Sequence, residues 1–178
     1  MVIGSIPLII AGFIIYTTGL IDFVRNLKLL AWLSLIFAIV LYFADKIKVT
    51  KKIDTDLNLK TILIIGLFQI ASLFPGVSRS GIVITAGRFL NFDRYDATKI
   101  SFYLSVPAIA GASFLSLKDV FINDATFNSL IILSIILSFI FSYITIKYFL
   151  IFVKNFNFNI FIIYRIILSL FIFYIIYS

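Results

Sequence analysis

Long apolar runs separated by short polar interruptions organise the chain. Five of them, at 2–20, 27–44, 97–117, 127–153 and 160–177, each approach the ~20 residues needed to cross the hydrocarbon of a bilayer. Phe, Ile and Leu fall on every helical face of these runs, as lipid contact or burial in a bundle requires. The pattern predicts an all-α integral membrane protein with about five transmembrane helices. The first run has no basic residue before it, so it is not expected to be a cleaved signal. The polar stretch 45–60 is expected to be an aqueous loop within one domain covering 1–178.

Residues 59–90 break the pattern. An apolar helix over about 60–74 runs into PGVSRSG (75–81), and a second short apolar helix follows to Leu90. Each piece is too short to span, so the segment either crosses once with a tail or returns to its own side as a re-entrant helix-break-helix hairpin. Basic residues discriminate between the two. In the hairpin topology Lys46, Lys48, Lys51, Lys52, Lys60, Arg88, Arg94, Lys99, Lys147 and Lys154 share one face, and only Arg25, Lys28 and Lys118 lie on the other. In the crossing topology the two faces are nearly balanced. Cytoplasmic loops of membrane proteins are enriched in Lys and Arg, so the hairpin is expected.

Composition narrows the chemistry. The chain is 62% hydrophobic and 13% charged, far from the balance of a soluble domain. It has no His and no Cys, and all eight acidic residues are Asp, at the edges of apolar runs or between them. A disulfide framework and a Cys or His metal site are excluded, and the common proton-transfer groups, His and a buried Glu, are missing. The net charge of +7 resides mainly in loops between runs. That is a topology signal, and nucleic acid is not an expected partner.

The break itself has the makings of an anion site. Pro75 ends the first helix, Gly76 permits a tight reversal, and Gly81 permits close approach of a ligand or another backbone. Ser78 or Ser80 can cap the second helix, whose first turn then offers free amides and partial positive charge. Arg79 adds a planar fork suited to two phosphate oxygens. Taken alone, Pro75 and Gly76 are helix punctuation and the serines are caps. Arg79 changes the balance, because a guanidinium in hydrocarbon costs at least ~2.5–3.5 kcal/mol and has no carboxylate within a run to meet it. Arg165 lies within two turns of the polar 154–159 segment and is expected to snorkel toward it.

FQIASLFPGVSRSG (68–81), SFYLSVPAIAGA (101–112) and FIIYR (161–165) together resemble the undecaprenyl-diphosphate phosphatase family of the bacitracin-resistance type. The resemblance extends over the whole chain. It implies a multi-pass enzyme of the bacterial inner membrane that hydrolyses undecaprenyl diphosphate to the monophosphate carrying cell-wall precursors. It also implies inverted repeats with re-entrant hairpins and a site at their interface. On the family's motif, Arg79 and Ser78 are the catalytic positions, while Gly76, Ser80, Gly81 and Gln69 are substrate-binding ones. The family is expected to use a divalent cation, Mg2+ or Ca2+, yet no ligands for one can be identified in this chain. The family motif ends in Thr where this chain has Val83, which removes one hydroxyl.

The family's Glu-rich and His-bearing motifs have no counterpart here, so the chain is expected to correspond to the C-terminal two-thirds of a family member. Three readings stay open. The chain is part of a phosphatase whose missing half is supplied by a longer parent chain or another subunit, or a non-hydrolytic polyprenyl-phosphate binder or translocator, or an inactive remnant; a homodimer is the alternative partner arrangement.

Overall fold

The computed structural model describes residues 1–19, 26–122 and 129–178, and the side chains of these outside 114–130. Arg25 and Lys118 of the weakly basic face, and the first residues of the expected 127–153 run, fall outside that description. Eight α-helices are seen among the described residues: α1 (Val2–Thr18), α2 (Leu27–Asp45), α3 (Ile53–Asp56), α4 (Leu59–Gln69), α5 (Arg79–Phe89), α6 (Arg94–Ile122), α7 (Ser129–Asn155) and α8 (Asn159–Tyr177). A 3-10 turn, Ile70–Leu73, continues α4.

Each of four helices begins where a short polar side chain can satisfy a free amide. Asn26 accepts from Lys28 N–H, Asn58 from Thr61 N–H, Ser78 from Gly81 N–H and Asp93 from Asp96 N–H. These are the polar residues that interrupt the apolar runs, so the interruptions are helix starts.

Among the described residues, three helices are long and apolar enough to cross a membrane by themselves, in the ranges Leu27–Asp45, Ile131–Asn155 and Asn159–Tyr177. This is fewer than the five expected. The first run forms an apolar helix of only 17 residues, because Gly19 leaves the helix in the left-handed conformation at φ +67° and acts as its C-terminal stop. Helix α6 covers the 97–117 run, and its 29 residues give it a length of about 43 Å at 1.5 Å per residue. Along α7 the described side chains from Ile131 to Tyr148 are exposed around the whole circumference, an arrangement suited to lipid rather than water.

Small residues decide the tightest packing. A side chain on Gly66 would collide with the carbonyl oxygen of Gly4, and one on Gly4 would lie 2.5 Å from Ile62. Helices α1 and α4 therefore meet backbone to backbone, as small-residue seams allow in membrane helices. Ser5 fastens α1 to α6 by donating to the Leu104 carbonyl at 3.2 Å. Ile65, Val83, Ile100, Leu104, Phe92 and Ile162 lie in the buried apolar cluster shared by the helices. Trp32 of α2 meets Phe173 of α8 edge to face, with centroids 5.1 Å apart.

The 45–60 stretch is more than a solvated loop. Buried Arg88, at the end of α5, donates to the carbonyls of Phe92, Asp45 and Ile47 at 2.6, 2.9 and 2.6 Å. Asp45 accepts two bonds from Arg94, at 2.7 and 3.0 Å. Asn91, with a positive φ of 70°, accepts the amides of Thr50 and Lys51, and Asp96 accepts that of Ile53 at 2.8 Å. The end of α2, the start of α6 and the end of α5 are thereby sewn to one polar segment.

Replacing Arg88 with Met should leave three carbonyls and the Asp45 carboxylate short of donors. The expected loss is about 3–5 kcal/mol, measurable as a fall in thermal unfolding temperature in detergent.

Candidate phosphate site at the helix break

Phe74 to Val77 make the reversal. The Phe74 carbonyl accepts from Val77 N–H at 3.3 Å, with Pro75 and then Gly76 at the corners. Gly76 has φ +86°, the left-handed value that a type II turn demands at that position. A side chain there would also run into the Leu30 carbonyl of α2. Gly76 is therefore required twice over, by its dihedral and by its neighbour.

Ser78 is the cap of α5. Its Oγ accepts the Gly81 amide at 3.2 Å and lies 3.1 Å from the Ser80 hydroxyl. The amides of Arg79 and Ser80, in the first turn, make no hydrogen bond to any described residue, so two donors and the positive end of the helix dipole face outward. Ser80 is exposed, and Ser78 and Arg79 are partly so. The Ser80 carbonyl is held by Ser101 of α6 at 3.4 Å, which fixes the break against that helix.

Arg165 is the residue whose position the sequence misjudged. A side-chain carbon at Gly81 would sit 3.0 Å from the Arg165 Nη2 and 3.4 Å from the Ser78 Oγ. The guanidinium thus turns away from the 154–159 segment and lies against the start of α5. Gly81 makes room for it, the close approach foreseen for that glycine, with a side chain of this chain as the visitor. Its sequence context, one charge in an apolar helix, was a sign of function, but nothing local could tell which way it would reach. Among the described residues, neither Arg79 nor Arg165 has a hydrogen bond or ion pair to its guanidinium.

Gln69 is fully buried behind the turn, and both atoms of its amide are without a partner among the described residues. Thr85 is also buried, and its hydroxyl donates to the Gly81 carbonyl at 2.7 Å, so it cannot replace the hydroxyl missing at Val83. Val83 itself is packed in the core. The described Asp side chains all belong to residues 45–56 and 93–96. The 11 residues of α5 place that end of the hairpin about 15 Å from the break. Among the described residues no group of three acidic side chains could hold a metal ion.

Comparison with known proteins agrees with this arrangement of motifs. The family described as "Bacitracin resistance protein BacA" matches residues 1–171. An undecaprenyl-diphosphatase of Pelagibacter ubique is 56% identical over 154 residues, which are 86% of this chain and 60% of that protein. One of Elusimicrobium minutum is 44% identical over 153 residues, 86% of this chain and 57% of its own length. One of Nocardioides sp. is 34% identical over 154 residues, with 86% and 56% covered. The chain spans just under three fifths to three fifths of the length of these relatives.

Gly81→Ala tests the placement of Arg165. The methyl group should displace a flexible side-chain tip at little cost in thermal stability, while weakening phosphate binding several-fold by isothermal titration. Unchanged binding would remove Arg165 from the site.

Proposed function

The chain belongs to the bacitracin resistance protein BacA family, and on that premise we propose that its helix break binds the phosphate end of a polyprenyl diphosphate. The substrate is undecaprenyl diphosphate, the compound for which its undecaprenyl-diphosphatase relatives are named. The observation that carries the proposal is the convergence of Arg165 on the Ser78–Ser80 pair and the open amides of α5, beside Arg79 and with no carboxylate at hand among the described residues. Such a donor set suits an anion with several acceptor oxygens.

The protein is then a multi-pass component of the bacterial inner membrane, with 59–90 a re-entrant hairpin. The polar segment 45–53 supports this, because α5 ends beside it and α4 follows it after the single turn of α3. The break thereby lies at depth, reached by the substrate through the apolar surfaces between helices.

The division of labour in catalysis follows from the donors present. Arg79 and Arg165 clamp the phosphoryl oxygens, the amides of Arg79 and Ser80 add fixed dipoles, and the Ser78 and Ser80 hydroxyls orient the group. Together they stabilise charge as it moves from the attacked phosphorus to the leaving phosphate. Ser78 stands where a nucleophile would, but its hydroxyl has no base beside it among the described residues. Guanidiniums and two hydroxyls do not fit Mg2+ or Ca2+, which demand several anionic or carbonyl oxygens, and no step is assigned to a cation on these residues. The base belongs to the part of the relatives' length that this chain does not span. We take that part as the N-terminal one, supplied by a longer parent chain or a second subunit. The lack of a base equally favours the reading of this chain alone as a polyprenyl-phosphate binder that does not hydrolyse.

Purified chain should bind undecaprenyl diphosphate and release no phosphate alone; release should appear when the N-terminal portion of a relative is co-reconstituted. Arg79→Ala and Arg165→Ala should each weaken binding by roughly 10–100-fold, the value of a charge-assisted hydrogen bond at ~1.5–3 kcal/mol. Equal binding by wild type and both variants would sink the site, and release by the chain alone would put the base within it.

The chain has no His, and among the described residues the break offers amides, hydroxyls and guanidiniums with no carboxylate. Affinity for undecaprenyl phosphate should therefore rise only with the ligand's own second ionisation, near pH ~6 for a phosphomonoester, and stay flat above it. A calorimetric pH series checks this.

A further inference from the structure

A polar cavity of about 310 Å3 opens at the end of the hairpin away from the break, where Arg88, Asp93, Arg94, Tyr95 and Lys154 line it. Its charge is unbalanced. Arg88 is spent on three backbone carbonyls, and the Asp45 carboxylate behind it is taken up by Arg94. Asp93 is engaged by the Asp96 amide at 2.6 Å. Three cations thus face two carboxylates, and the surplus points outward. Arg94 uses Nε and Nη2 on Asp45, which leaves Nη1 without a partner among the described residues, on a side chain 38% exposed. Lys154 is exposed and makes no hydrogen bond or ion pair to any described residue.

The surroundings specify the depth. Lys154 stands in the last turn of α7, directly after apolar turns whose side chains, such as Tyr148 at 65% and Ile151 at 50%, face outward. Val49 and Val153 supply an apolar wall. A cavity that joins cationic donors to aliphatic carbon suits the boundary between headgroups and acyl chains, where basic pockets between helices hold lipid phosphates.

We propose that this cavity binds the phosphodiester headgroup of an anionic bilayer lipid, held by Lys154, the free nitrogen of Arg94 and the Tyr95 hydroxyl. The site lies about 15 Å from the break, and the proposal stands whether or not the break binds a diphosphate. A seated lipid would bridge the end of α7 to the α5–α6 corner.

The test uses the purified full chain in neutral detergent, titrated with short-chain phosphatidylglycerol, phosphatidylcholine of the same chain length, or inorganic phosphate, with unfolding temperature as readout. Phosphatidylglycerol should raise it saturably and phosphatidylcholine should not. Lys154→Gln should weaken that response about ten-fold, and Tyr95→Phe by a few-fold. Lys147→Gln, which removes an exposed charge from the same helix outside the cavity, should leave it unchanged, and the break is intact in all three variants. Equal responses to the two lipids, or equal losses in Lys154→Gln and Lys147→Gln, would overturn the proposal. A response to inorganic phosphate as large as that to phosphatidylglycerol, and as dependent on Lys154, would overturn the lipid assignment.

Discussion

A guanidinium keeps its charge at any depth, and this fold is arranged around where its buried and half-buried arginines find counter-charge. Arg88 is well partnered: three carbonyls accept from its terminal nitrogens and a carboxylate lies 3.8 Å from its Nε, and it serves as a structural rivet. Arg79 and Arg165 have no such company among the described residues. The chain thus contains arginines of two kinds. The difference between them is the clearest physical pointer to where a ligand belongs, because burying a cation without a partner costs far more than burying one with its donors used.

The backbone at the break complements that need. A helix start presents amides that nothing within the helix can use, and Ser78 satisfies just one of them. The remaining donors, the hydroxyl pair and the Arg165 tip all lie at the end of α5 away from the Asp-bearing segments. Positive potential without any carboxylate is therefore concentrated at one end of a short apolar helix, whereas at the other end Arg88 and Arg94 meet carbonyls and a carboxylate. Gln69 differs in kind. Its amide is fully buried, with neither atom hydrogen-bonded to any described residue.

What could be read in the sequence was whatever depends on neighbours in the chain. Pro75, Gly76 and Ser78 define a stop, a reversal and a start within four residues, and the structure has all three in place. The apolar runs foretold the helices, although Gly19 ended the first earlier than hydrophobicity alone implied. What could not be read depends on residues far apart in sequence. Arg88 and Asp45 were counted as interfacial charges, yet they are buried against one another across 43 positions. The polar 45–60 segment looked free in composition, but it is stitched to the α5–α6 corner. Arg165 was assigned to the nearer polar segment by distance along its helix, whereas space left by the missing side chain of Gly81 drew it the other way.

Gly76 carries one more implication. Its turn is wedged against the main chain of α2 at Leu30, so the reversal has no room to swing inward and behaves as a rigid abutment. Ligand donors mounted on an abutment are already oriented before anything arrives, and little conformational freedom is surrendered on capture. Adaptation to a bulky lipid tail must then come from the helices around the break, leaving the headgroup cradle as the stationary reference against which they move.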